Sequence, residues 1–286
     1  MIRLGDFELH LILESTVHVD GGGAFGLIPR VMWGKYMPFD EDNLVPMTQH
    51  VLYVRAEGRH VLIDTGYGDK ITPKYREQLH HERPRGTLIE ALARLGVTPD
   101  QIDLVIDTHL HNDHCGGNTC FDAQGGIRPT FPNAEYVVQR REYDDAMHPN
   151  ERTRATYIAD NFHPLVQSGQ MRLLDGDTEL LPGITGVVTP GHTPGHMSIR
   201  LSSQGEHAAF VCDLASYAVH FERLAWMTAY DVEPLITLET KRAWQAWALE
   251  TDALLIFPHD PLRPAGRLRP VEGGRPVVEP VAVEYV

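Results

Sequence analysis

Apolar positions along this chain fall into short, often β-branched runs that end abruptly at polar or glycine-rich turns. Phe7–Leu13 alternates apolar and polar residues like a strand with one buried face. His50–Arg55, Val61–Ile63, Ile102–Ile106, Ala134–Gln139, a run near Gly186–Thr189, His207–Asp213 and Ala253–Phe257 read as further strands. Thr87-Leu88-Ile89-Glu90 is a capping box opening a helix that Gly96 ends. Helical segments extend through about residue 164, and a long helix spans about Thr237–Thr251. Gly21-Gly22-Gly23 reads as a loop. The stretch 24–43 carries Phe25, Trp33, Tyr36 and Phe39 without a clean period, as expected of a lid or a docking segment. Pro270, Pro276 and Pro280 mark edge strands around a hairpin at Gly273-Gly274. No repeat or low-complexity linker interrupts the pattern, so residues 1–286 read as one domain.

Several of these runs end in a residue that binds metals well. Ile102–Ile106 leads into His109-Leu110-His111-Asn112-Asp113-His114, four ligand-type side chains within six residues. In an extended segment, side chains two apart share a face, so His109, His111 and Asp113 are expected to point together, with His114 following where Cys115-Gly116-Gly117 turns the chain. Val187-Val188-Thr189 leads to a Pro/Gly-rich loop carrying His192 and His196. Ala208–Cys212 leads to Asp213, and Ala253–Phe257 leads to His259. In α/β sheets, functional groups gather beyond the carboxyl ends of strands. Bound metal can convert water into a hydroxide nucleophile near neutral pH, so this clustering points to hydrolytic chemistry.

In these residues the chain resembles the metallo-β-lactamase superfamily of metal-dependent hydrolases. The main motif of that family, His-x-His-x-Asp-His, is matched by His109, His111, Asp113 and His114. The later lone histidine is matched by His192, within a Thr-Pro-Gly-His repeat typical of lactonase-like and glyoxalase-II-like members. Asp213 matches the bridging aspartate, His259 the last histidine, and Asp64-Thr65-Gly66 the early turn. The matches keep family order and span residues 61 to 259. The resemblance implies a four-layer αββα sandwich of the α/β class. It also implies two divalent cations, with zinc the default and manganese or iron as alternatives. His109, His111 and His192 would hold one cation, and Asp113, His114 and His259 the other, with Asp213 and a hydroxide between them. His196 and Asp64 are expected behind the ligands, orienting them. In lactonase-like members a tyrosine shortly after the bridging aspartate contacts the substrate. Tyr217, four residues after Asp213, is the matching candidate here.

Composition narrows the function further. The formal net charge is −14, from 25 basic and 39 acidic residues, with no Lys/Arg run, which argues against a nucleic-acid partner. No apolar run reaches membrane-spanning length, and the N-terminus alternates like a strand without a signal-peptide core, so a cytoplasmic location is expected. Cys115, Cys120 and Cys212 are odd in number and without framework spacing, which suggests reduced thiols. Cys212 is expected in the core, facing away from Asp213. His10, His18, His50, His60, His80, His81, His148, His163, His207 and His220 are expected on the surface or in loops.

The resulting expectation is a dinuclear hydrolase acting on a small ester-like substrate with apolar character: a lactone, carboxylic ester or phosphotriester. Asp113 or Asp213 would shuttle the proton, and Tyr217 would stabilise the developing oxyanion. The aromatics of 24–43, with Phe221, Trp226, Met227 and Tyr230, would form an apolar mouth or dock a second subunit, a homodimer being possible. A mononuclear iron persulfide-dioxygenase-like enzyme carries the same histidine motif and remains an alternative. So does a glyoxalase-II-like thioester hydrolase, although no basic cluster near the C-terminus suits glutathione.

Overall fold

The computed structural model describes residues 1–286. Two seven-stranded sheets face each other. The first runs in spatial order Ile2–Leu4, Phe7–Asp20, Leu44–Ala56, Arg59–Ile63, Leu104–Ile106, Glu135–Gln139 and Met171–Leu174. The second runs Thr178–Leu181, Ile184–Val188, Met197–Ser203, Glu206–Phe210, Leu254–Ile256, Ala265–Arg269 and Val277–Pro280. Helices cover the outer faces, chiefly Leu88–Arg94 on the first sheet and Pro234–Thr251 on the second. This is the expected αββα sandwich.

The central strands are continuous apolar runs because both of their faces are buried. Val61 and Ile63 point between the sheets while Leu62 points to the outer helices; Leu104 and Ile106 alternate with Val105 in the same way. In the second sheet Ala208 and Phe210 point inward and Ala209 and Val211 outward, as do Leu254 and Ile256 against Leu255 and Phe257. Strands Arg59–Ile63, Leu104–Ile106 and Glu135–Gln139 run parallel to one another, as do Glu206–Phe210 and Leu254–Ile256. Their carboxyl ends therefore open on one rim. No helix is long and apolar enough to cross a membrane.

The capping box at Thr87 and Glu90 has both of its hydrogen bonds, and Ala265–Arg269 pairs with Val277–Pro280 around Gly273-Gly274 as expected. Other elements differ from expectation. The first long strand continues to Asp20, through a register shift between Leu13 and Ser15. The glycine triplet is helical rather than a loop: Gly21–Phe25 is capped by Asp20, whose side chain accepts the Gly22 amide at 2.7 Å. Met171–Leu174, Thr178–Leu181 and Met197–Ser203 are strands that the apolar pattern did not predict. Within 24–43, Phe25, Trp33 and Met37 are buried against the sandwich, with Phe25 stacked on Trp33 at 4.8 Å.

Candidate metal centre

The histidine-rich hexapeptide is not an extended segment. Its strand stops at Ile106, and His111 caps the N-terminus of a helical turn, Asn112–Cys115. Leu110 points into the outer core with Cys115 while His109 and His111 face the rim. Asp113 and His114 come from the helical turn, which the Asp64-Thr65-Gly66 turn holds in place: the Thr65 amide donates to the His114 carbonyl at 2.7 Å. Asp64 and Cys212 both adopt left-handed φ values, 60° and 50°. Such backbone is uncommon for a residue with a β-carbon and collects at functional sites.

All seven predicted donors converge. His111 Nδ1 lies 3.0 Å from His109 Nε2 and 3.1 Å from His192 Nε2. Asp213 sits between two groups. Its Oδ2 is 3.2 Å from His192 Nε2, 3.3 Å from His114 Nε2 and 3.7 Å from His109 Nε2, while its Oδ1 is 2.9 Å from His259 Nε2. Asp113 Oδ2 lies 3.5 Å from His114 Nε2 and 4.0 Å from His259 Nε2. The donor atoms of His109, His111, His192 and Asp213 fall within 4.8 Å of one another, as do those of Asp113, His114 and His259.

These residues fit two cations. Ligand atoms about 2.0–2.1 Å from a tetrahedral ion stand roughly 3.3 Å apart, close to the spacings observed. Buried nitrogen lone pairs facing each other at such distances repel unless a cation or proton lies between them. His114 Nε2 is buried with no hydrogen-bond partner. Burial holds His109 and His111 well below the usual imidazole range, which keeps both as neutral donors. Burial opposes ionisation of Asp213, but the facing His259, His192 and His114 outweigh it and hold the carboxyl well below its ordinary value.

Three of the imidazoles are anchored through their outward-facing nitrogens, which fixes ring orientation and tautomer. His114 Nδ1 meets Asp64 Oδ2 at 2.9 Å, His259 Nδ1 donates to the Thr48 carbonyl at 2.8 Å, and His192 Nδ1 meets Asp231 Oδ1 at 2.9 Å. Asp64 also accepts from the amide and hydroxyl of Thr108. His196 Nε2 accepts the Asp213 amide at 3.2 Å, a supporting place as expected; burial lowers its pKa to about 3. Cys212 is buried in the core, yet its sulfur also lies 3.5 Å from His114 Nδ1, behind the donors. Burial pushes that thiol well up, so it stays protonated.

Three expectations need correction. Tyr217 is fully buried, stacked on Phe25 at 5.4 Å, and its hydroxyl donates to the Pro46 carbonyl at 3.3 Å, so it does not face the cavity over the donors. Residues 24–43 do not line that cavity either; they pack beside it. His50 and His220 are buried rather than on the surface. His50 bridges the Phe257 carbonyl and the Tyr285 hydroxyl, both at 3.0 Å. Sequence reasoning missed Asp231 and the cavity walls other than Tyr230, which it placed in the apolar mouth.

That cavity, about 150 Å³, is walled by Val19, Met47, Tyr67, Tyr75, Leu79 and Tyr230 over His111, Asp113, His192, Asp213 and His259. A second chamber of about 340 Å³ shares Tyr67, Tyr75 and Asn112 with it and adds Ile71, Phe121 and Ile158. A larger cavity, about 470 Å³, lies beside the Glu14–Arg83 pair and contains none of the seven donors.

Known proteins resemble this chain in sequence and in fold. The model of the metallo-beta-lactamase superfamily matches residues 44–244. An N-acyl homoserine lactonase of Bacillus thuringiensis is 28% identical over 192 residues, which span 67% of this chain but only 66% of that relative. One from Bacillus cereus is 25% identical over 235 residues, 76% of this chain and 83% of the relative. The solved structure of a probable metal-dependent hydrolase from Staphylococcus aureus superposes with a TM-score of 0.87 at 27% identity, covering 99% of this chain and all of that one. A dizinc quorum-quenching lactonase, AidC, shares the fold with a TM-score of 0.79 at 21% identity, over 98% of this chain and 97% of that one. With its family model matched across most of its length and its donor histidines and aspartates gathered on one rim, this chain belongs to the metallo-beta-lactamase superfamily.

Proposed function

We propose that the chain is a dinuclear-metal-dependent hydrolase of a small ester-like substrate with an apolar substituent, a lactone being the first candidate. The observation that carries this reading is Asp213, whose carboxylate lies between the two sets of donors: Oδ2 faces His109 and His192 of one set and His114 of the other, and Oδ1 faces His259. In this assignment His109, His111 and His192 hold one cation, Asp113, His114 and His259 the other, and Asp213 serves both. The complete second set favours two cations over a single iron.

When bound, two divalent cations, with zinc the best match to imidazole and carboxylate donors, polarise a substrate oxygen and lower the pKa of water. The protein supplies the rest. Ser216 Oγ donates to Asp213 Oδ1 at 3.0 Å and fixes that carboxylate. Asp113 accepts Gln49 Nε2 at 3.3 Å and is, at 18% side-chain exposure, the most open donor of the set. That openness supports Asp113 over Asp213 as the group that takes a proton and returns it to the leaving oxygen. Tyr230 stands at the cavity wall where Tyr217 was expected, and takes over the proposed substrate contact. Tyr67, Tyr75, Leu79 and Met47 exclude water from an acyl or aryl group, which can extend into the second chamber. Lys70, the one basic residue of the two chambers, donates to the Gly116 and Thr119 carbonyls at 2.6 and 2.5 Å, which leaves little for a glutathione carboxylate.

The named relatives make N-acyl homoserine lactones the first substrates to test. The test pairs elemental analysis with a panel of lactones, carboxylic esters, thioesters and phosphotriesters. Two cations per chain and turnover of lactones or esters are expected, with loss of both on chelation, and loss of one cation and of turnover in His109→Ala. Turnover that persists in the stripped protein, or one iron with oxygen uptake, refutes the assignment.

A further inference from the structure

Glu142 lies in the first turn of the helix Arg140–Met147, among charged neighbours, yet it is fully buried. No Lys or Arg side chain hydrogen-bonds or pairs with it in the structure. Its carboxylate instead accepts from three donors on three different segments. Oε1 accepts the Leu110 amide at 3.0 Å and the Tyr157 hydroxyl at 3.1 Å; Oε2 accepts the Thr193 hydroxyl.

Each of those segments belongs to the candidate centre. Leu110 stands between His109 and His111, and Thr193 follows His192. Tyr157 forms a β-bridge with His111, their rings 5.1 Å apart, and the neighbouring Thr156 carbonyl accepts the Asn112 amide. The approach is close enough to demand glycine: a β-carbon on Gly195 would lie 2.2 Å from the Glu142 nitrogen. Thr156 lines the cavity over the donors, so the same carboxylate also sets one wall of it.

We propose that Glu142 is the positioning residue of the first cation site, a buried carboxylate that fixes the His109–His111 turn, the His192 loop and the Tyr157 segment relative to one another. It touches no part of the second set, Asp113, His114 and His259. The inference rests on the two-cation reading given above. Removing Glu142 therefore weakens one site and spares the other, an asymmetry that a general packing role would not produce.

The test strips purified full-length protein and titrates it with zinc against a chromophoric chelator, with circular dichroism as the check on folding. His259→Ala marks the first site by disabling the second. In Glu142→Ala, one zinc equivalent is expected to bind about tenfold or more weakly while the other keeps its affinity. Glu142→Ala combined with His259→Ala shows that loss in full. Glu142→Gln restores most of it, because its amide oxygen still accepts from Leu110 and Tyr157 and its amino group can donate to Thr193. If Glu142→Ala does not fold, Tyr157→Phe with Thr193→Val removes two of the three donors and is expected to show the same selective loss. Both equivalents at wild-type affinity, or both weakened alike, overturns the proposal. A wild-type chain that binds only one zinc sinks the two-cation reading instead, and Glu142→Ala is then read at that one site, where unchanged affinity overturns the proposal as well.

Discussion

Replacing Asp231 by alanine removes the acceptor behind His192. The two side chains are 2% and 3% exposed and meet at 2.9 Å, and the same Asp231 oxygen takes the Thr228 hydroxyl at 2.9 Å. A buried hydrogen bond to a charged group contributes about 1.5–3 kcal/mol, and its loss leaves His192 Nδ1 unpaired. Taking about 2 kcal/mol, at about 1.4 kcal/mol per tenfold, the first cation is expected to bind about 30-fold more weakly. That value falls inside the roughly 10–100-fold range seen when partners behind metal ligands are removed. Chelator competition on stripped protein measures it, and thermal melting of the metal-free variant separates the effect from a general loss of fold. Asp231→Asn keeps a neutral acceptor and is expected to lose less. Unchanged affinity at the His109, His111 and His192 site, or equal loss at both sites, refutes the reasoning.

Three further predictions concern Tyr217, Tyr230 and His50. Tyr217→Phe removes one hydrogen bond to a carbonyl, so it costs about 1 kcal/mol of stability in urea unfolding and leaves turnover nearly unchanged. Tyr230→Phe acts at the cavity wall and is expected to lower kcat/KM on the lactone panel; the reverse ranking would return the role to Tyr217. Burial lowers the pKa of His50 from 6.5 to about 4. Between these values the unfolded chain takes up the proton and the folded one does not, so stability falls as pH drops through that window. From pH 7 to pH 5 this group contributes a loss of about 2 kcal/mol, and His50→Gln is expected to flatten the urea-measured profile by that amount.

The sequence announced the centre more clearly than its surroundings. Strands buried on both faces must be continuous apolar runs, and His109, Asp213 and His259 each follow such a run, so chain order alone brought them to one rim. Groups that act from behind gave no such sign. Glu142 sits in Arg140-Arg141-Glu142-Tyr143-Asp144-Asp145, which reads as a solvated helix face, and Asp231 as an ordinary loop acid. Their burial depends on segments far away in sequence. Local propensity also lost to tertiary packing at Gly21–Phe25, where a poor helix-forming triplet is held by the Asp20 cap and by burial of Ala24 and Phe25. The extra length of Phe7–Asp20 was hidden because buried Glu14 and Ser15 break the apolar rhythm; Arg83 compensates Glu14 at 2.6 Å.

The donors are drawn from both halves of the sandwich: His109, His111, Asp113 and His114 follow strands of the first sheet, and His192, Asp213 and His259 follow strands of the second. Ions seated among them would clasp the halves together across the rim. Because such ions bind the folded chain and not the scattered one, resistance to heat would climb with free metal concentration by RT ln(1 + [L]/Kd). Where divalent metal is scarce, the folded fraction of such a chain would then shrink along with the occupancy of the rim.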